Sequence, residues 1–197
     1  YTRIGGCWKL AVAAGWGGGG GGRKFEKTKE ILNQLVADLS QFSVVIHQTH
    51  WYMRGPEFLT LHPQMDEYMD QINEQLDVVS ERLITLDGSP FSTLREFAEN
   101  TKIEDEIGNW DRTIPERMEK LVAGYRYLAD LYAKGIEVSG EEGDDCTQDI
   151  FIANKTDIEK NIWMLQAKLG KAPGLPTPPP PRPTPPPTPH PPPHPPP

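Results

Sequence analysis

The sequence predicts an all-α protein: a four-helix bundle with a short extra helix in its middle connection. Three observations carry this. Four long stretches place apolar residues at the i, i+3, i+4 spacing of one helix face. Glycine- or proline-bearing breaks separate them. No alternating stretch competes as a strand, and there is no internal repeat.

The first helix is expected from Lys24 to Met53, where Ile31, Leu32, Leu35, Val36, Leu39, Phe42, Val45 and Ile46 form the apolar face. Arg54-Gly55-Pro56 ends it. The second starts near Phe58–His62, with Pro63 assigned to the first turn, where its missing N–H is harmless, and runs to about Leu86 before Asp87-Gly88. A short helix over Thr93 to Glu99 is signalled by Thr93 and Glu96 at capping-box spacing. The third long helix is expected over Ile114 to Ala133, closed by Gly135, and the fourth from about Cys146 to Leu169. Four long helices joined this way form a bundle.

The 197 residues divide into three parts: a Gly-rich N-terminal tail (1–23), one globular domain (24–172) and a Pro-rich tail (173–197). Gly17–Gly22 reads as a flexible linker and the proline tail as extended polyproline II. Outside residues 24–170 lie five bases (Arg3, Lys9, Arg23, Lys171, Arg182) and no acids, so removing them from the net charge of −8 leaves −13 on residues 24–170. Such a domain repels nucleic acid and anionic membranes and suits cations. Two cysteines, Cys7 and Cys146, give no disulfide framework, which fits a reducing, cytoplasmic setting. No stretch is long enough to span a membrane, and Trp8–Trp16 is too short and glycine-broken for a signal peptide.

The histidines locate the chemistry. His190 and His194 lie in the proline tail, where two ligands on a stiff chain make a poor metal site; His47, His50 and His62 flank the first interhelical loop. No Glu-x-x-His occurs, so a di-iron site inside the bundle is not expected. The second helix carries His62 and Asp66 at i, i+4, and Asp77 and Glu81 likewise, with Asp70 and Glu74 between. Like charges at that spacing cost roughly 0.2–0.5 kcal/mol per pair, a cost that a bound cation reverses.

His62 and Asp77 are about 22 Å apart along one helix at ~1.5 Å per residue, whereas ligands sit roughly 2.0–2.2 Å from a metal ion. One copy of the helix cannot bring both pairs to one ion. Two antiparallel copies related by a two-fold axis near Gln71–Ile72 can, with His50 completing each site from the side of His62. Mixed imidazole and carboxylate ligands with open positions suit ferrous iron or zinc better than magnesium or calcium. Spacing alone leaves a solvated acidic face standing as an equal reading.

The sequence resembles the Dps family, in particular its peroxide-resistance members. The resemblance spans about 27–174. It rests on His50-Trp51 with Met53-Arg54-Gly55, Leu61-His62 with Asp66-Glu67, Leu76-Asp77 with Ser80-Glu81-Arg82, and Ser92-Thr93-Leu94-Arg95-Glu96-Phe97. Gly143-Asp144-Asp145, Asp149-Ile150-Phe151 and Ile162-Trp163-Met164 follow in order. It implies a ferritin-like bundle assembled as a hollow dodecamer that oxidises ferrous iron, with hydrogen peroxide preferred to oxygen. The ferric mineral is stored inside, which protects against oxidative stress. His50, His62 and Asp66 are then ligands from one subunit and Asp77 and Glu81 from its two-fold mate. Zinc is a possible substitute. Trp51 resembles the family's site tryptophan, able to take a stray oxidising equivalent or simply to pack, and His47 stands as a candidate just behind the ligands. Asp145 and Asp149 resemble acids lining the three-fold pores that admit iron, competing with a plain helix-dipole role; Gly140 replaces a further acid of some relatives, which implies lower pore charge.

DNA-compacting relatives use lysine-rich tails, and this N-terminal tail has one lysine. DNA binding is therefore not expected, though a DNA-organising protein on the same fold is the rival reading. Two others are a scaffold recruiting aromatic-groove domains through the proline tail and a zinc-binding, iron-inactive member.

Overall fold

The structure, a computed structural model, describes residues 24–175. Cys7, the Gly17–Gly22 segment, and the proline tail beyond Leu175 with His190 and His194 lie outside them. The described chain forms α1 (Glu26–Tyr52), α2 (Phe58–Thr85), α3 (Leu94–Asn100), α4 (Ile114–Glu142) and α5 (Asp145–Lys168), with no strand among the described residues. The long helices close a ring in which α1 packs on α2, α2 on α5, α5 on α4 and α4 on α1, while α3 lies against α1. Leu35, Leu39, Phe42 and Ile46 of α1 meet Met65, Ile72 and Val79 of α2, Met118, Tyr125 and Tyr132 of α4, and Phe151, Ile158 and Ile162 of α5 in one core.

Helix starts show how local chemistry sets the elements. Thr93 and Glu96 form the expected capping box on α3, and Thr113 and Glu116 form a second on α4. At α5 the Asp144 side chain accepts from the Thr147 amide. α1 has no cap of its own, since Phe25 is left-handed at φ 62° and makes no side-chain cap bond. Glu142, at the far end of α4, supplies one instead: its carboxylate accepts from Lys27 N (3.1 Å), Thr28 N (2.9 Å) and Thr28 Oγ1 (2.7 Å).

Two sequence expectations are corrected. α4 does not end at Ala133–Gly135 but continues to Glu142, where left-handed Gly143 (φ 75°) stops it. Gly135 is buried between helices, and a Cβ there would lie 2.7 Å from the Phe151 ring. It permits close approach of α4 to α5 rather than terminating a helix. Pro63 is the sixth residue of α2, past the first turn. Its missing N–H therefore leaves the Leu59 carbonyl without its intrahelical donor, on a residue that is largely exposed to water.

The long connection between α3 and α4 is pinned by a buried carboxylate. Asp38 on α1 is fully buried. It accepts from Gln34 Nε2 (2.9 Å), Thr101 Oγ1 (2.8 Å), Lys102 N (2.7 Å) and Tyr127 OH (2.7 Å). Burial and the neighbouring Asp38 carboxylate push the Tyr127 phenol well above its ordinary value.

Candidate metal centre

The end of α1 and the start of α2 bring three of the five candidate ligands together. The His50 and His62 rings stack with centroids 3.6 Å apart and planes 23° apart. His50 Nδ1 lies 3.0 Å from the His62 carbonyl, and His62 Nδ1 lies 3.3 Å from the His50 carbonyl. A carbonyl oxygen only accepts, so each Nδ1 is the protonated nitrogen. Each neutral ring then keeps its lone pair on Nε2, the atom left for a metal. Asp66 Oδ1 is 3.6 Å from His50 Nδ1, and its side chain is 57% exposed.

The other two candidates sit elsewhere. Asp77 and Glu81 are exposed, further along α2. At 3.6 residues per turn, His62, Asp66, Asp77 and Glu81 fall within an arc of roughly 100°. That arc is turned away from the buried row Leu61, Met65, Ile72, Val79 and Leu83. Among the described residues, no three His, Cys, Asp or Glu side chains converge within one chain closely enough to hold a metal ion. The ligand pairs share a face without sharing a point.

The register along this face is symmetric. His62 and Glu81 are centred on the midpoint between Gln71 and Ile72, and so are Asp66 and Asp77. A two-fold axis through that midpoint places His62 opposite Glu81 of a second copy and Asp66 opposite its Asp77.

His47 stands beside this group rather than in it: its Nδ1 faces the Ser43 carbonyl at 2.9 Å, and its ring lies 5.3 Å from that of Trp51. Trp51 itself is 63% exposed. At the other end of α2, Arg82, next to Glu81, donates to Asp144 Oδ1 (2.7 Å) and Thr147 Oγ1 (2.8 Å). Burial would raise the Asp144 pKa, but bonds from the Thr147 hydroxyl and amide and from Arg82 hold it below the ordinary carboxylate range. Arg82 thus ties the helix bearing Glu81 to the start of α5, where Asp145 lies in the first turn and Asp149 follows it. Both of these acids, and the free thiol of Cys146, are exposed. At Gly140 a Cβ would meet Gln148 Nε2 at 2.4 Å, an amide already bonded to the Ile136 carbonyl, so a larger residue requires Gln148 to move.

Sequence reasoning missed the mutual His50–His62 bonds, the Arg82 tie and the Glu142 cap. Only the Arg82 tie had a nearby signal, in the Ser80-Glu81-Arg82 word.

The helical ring defines the class of protein: a family model described as a ferritin-like domain matches residues 29–175. The DNA protection during starvation protein of Streptococcus suis (strain P1/7) is 55% identical over 148 residues, 75% of this chain and 86% of that protein. A solved structure of Dps from Listeria monocytogenes superposes with TM-score 0.73 at 51% identity, over 74% of this chain and 95% of that one. A structure of Dps from Listeria innocua soaked with zinc gives TM-score 0.72 at 51% identity, over 74% and 98%. The chain belongs to the Dps family of ferritin-like proteins.

Proposed function

We propose that the protein oxidises ferrous iron with hydrogen peroxide and stores the ferric product inside a homo-oligomeric shell, a dodecamer in the cytoplasm. The observation that carries this reading is the His50–His62 pair, with both Nδ1 atoms committed to backbone carbonyls, which leaves each Nε2 as the lone-pair nitrogen, with Asp66 on the same face of α2 as His62. Such a half-site presents two neutral imidazoles and a carboxylate and leaves other positions open for the oxidant. Asp77 and Glu81 of the two-fold mate supply the remaining carboxylates. Iron here is the substrate. Each peroxide takes one electron from each of two ferrous ions and, with two protons, leaves as two waters, so both Fenton reagents disappear together. Asp145 and Asp149 at the start of α5 concentrate cations at the pores that admit iron. Trp51 stands exposed beside the site to intercept a stray oxidising equivalent, with His47 behind it. Zinc competes for the same ligands.

The test is ferrous iron plus peroxide, with ferric absorbance followed. Wild type oxidises iron quickly and keeps the product soluble, and Asp77→Ala/Glu81→Ala slows oxidation at least ~10-fold. Oxidation unchanged in that variant contradicts the site.

The names of relatives such as the Streptococcus suis protein speak of DNA protection, and a DNA-organising role is the second reading. The −13 charge on residues 24–170 opposes direct binding to phosphates, and protection by removing iron and peroxide needs no DNA contact. No described helix is long and apolar enough to cross a membrane.

A further inference from the structure

The ligand-bearing arc of α2 contains two large aliphatic side chains, and both are exposed: Leu59 at 85% and Ile84 at 59%. They lie at opposite ends of the helix, outside the two ligand pairs. They are also centred on the midpoint between Gln71 and Ile72, as His62 with Glu81 and Asp66 with Asp77 are. The two-fold operation that assembles the proposed iron site therefore sets Leu59 against Ile84 of the partner subunit, twice per dimer.

The rest of the face gives this contact a purpose. Asp66, Asp70, Asp77 and Glu81 all point to solvent, so two copies brought together repel until cations arrive. Something other than charge must hold the copies in register beforehand. An exposed leucine and isoleucine at the two ends are suited to it, because burying them against each other removes apolar surface from water without adding charge. We propose that Leu59 and Ile84 of the partner subunit form an apolar clasp that closes the outer end of each iron site and sets the spacing of its ligands. Both are positioning residues, and a second copy of this chain is the occupant of the face. The inference rests on the two-chain reading of the iron site.

The register is tested by cross-linking in a Cys7→Ser/Cys146→Ser background. Leu59→Cys/Ile84→Cys is treated with a short bismaleimide and compared with each single variant. Within one chain the two positions are about 37 Å apart at ~1.5 Å per residue, so no bridge forms inside a chain. The clasp predicts that most of the double variant shifts to twice the chain mass while the single variants do not. No shift in the double variant, or an equal shift in a single variant, overturns the contact.

The positioning role is tested with Leu59→Ser/Ile84→Ser. Zinc titrated into the iron-free protein binds about 10-fold more weakly, with the helical content by circular dichroism unchanged because neither side chain belongs to the core of the single chain. Equal zinc affinity overturns the role. If Asp77→Ala/Glu81→Ala keeps full iron oxidation, the iron-site reading itself has failed. If that variant is inactive and the cross-link is absent, the clasp alone has failed.

Discussion

Asp38 shows how much a single side chain holds in place. Its two oxygens accept four donors from α1, α4 and the connection after α3. Asp38→Asn keeps the shape but turns half the acceptor into a donor facing donors. It should lower the unfolding free energy by about 1–3 kcal/mol, read from urea midpoints. Nothing in the sequence singled out Asp38, because its partners Thr101, Lys102 and Tyr127 lie more than sixty residues away along the chain. The candidate ligands were legible for the opposite reason. His62, Asp66, Asp77 and Glu81 sit on one helix, where spacing alone assigns a face. The tautomers of His50 and His62 were not legible, since they depend on the meeting of two helix ends.

At the scale of elements, α1 takes its N-terminal cap from Glu142, at the end of α4 beside it. Burial would raise the Glu142 pKa, but bonds from the Thr28 hydroxyl, the Thr28 and Lys27 amides and the Lys27 charge lower it below its ordinary 4.5. Asp144 at the start of α5 is likewise held below 3.8. A carboxyl whose pKa is depressed by folding stabilises the fold fully above its unfolded value and loses that contribution as the pH falls through its folded one. Melting temperature should therefore be flat from neutral pH to about pH 5 and fall below that. Glu142→Gln should lose about 1 kcal/mol at neutral pH, as other lost N-caps do, and show a shallower acid decline. A decline as steep as wild type counts against the cap.

The length of α4 belongs to the same scale. Sequence reading stopped it at Gly135 because glycine commonly closes helices. The glycine that does so is Gly143, while Gly135 makes room for Phe151. Gly135→Ala should thus destabilise the protein by about 1–3 kcal/mol through overpacking, despite alanine's better helix propensity. A stabilised variant in thermal denaturation contradicts that assignment. Periodicity revealed that α4 exists; which glycine ends it depended on α5, which no local pattern reports.

For the whole molecule, apolar periodicity was sufficient to predict the ring of four helices with α3 in the middle connection, and the family match agrees. The acidity of residues 24–170 makes its own prediction. The protein should not retard duplex DNA in a gel at physiological salt, and a shift that survives added salt contradicts this. Each iron site is proposed to be shared by two chains, and mixed subunits decide whether it is. Asp77→Ala/Glu81→Ala and His50→Ala/His62→Ala chains, each slowed at least ~10-fold alone, are unfolded together in equal amounts and refolded. Random pairing makes half the dimers mixed, and two-fold symmetry gives each of those one intact site and one left with Asp66 alone. Peroxide-driven iron oxidation should return to about a quarter of the wild-type rate. No recovery in verified mixed dimers, or full activity in either variant alone, contradicts a site shared across the two-fold axis.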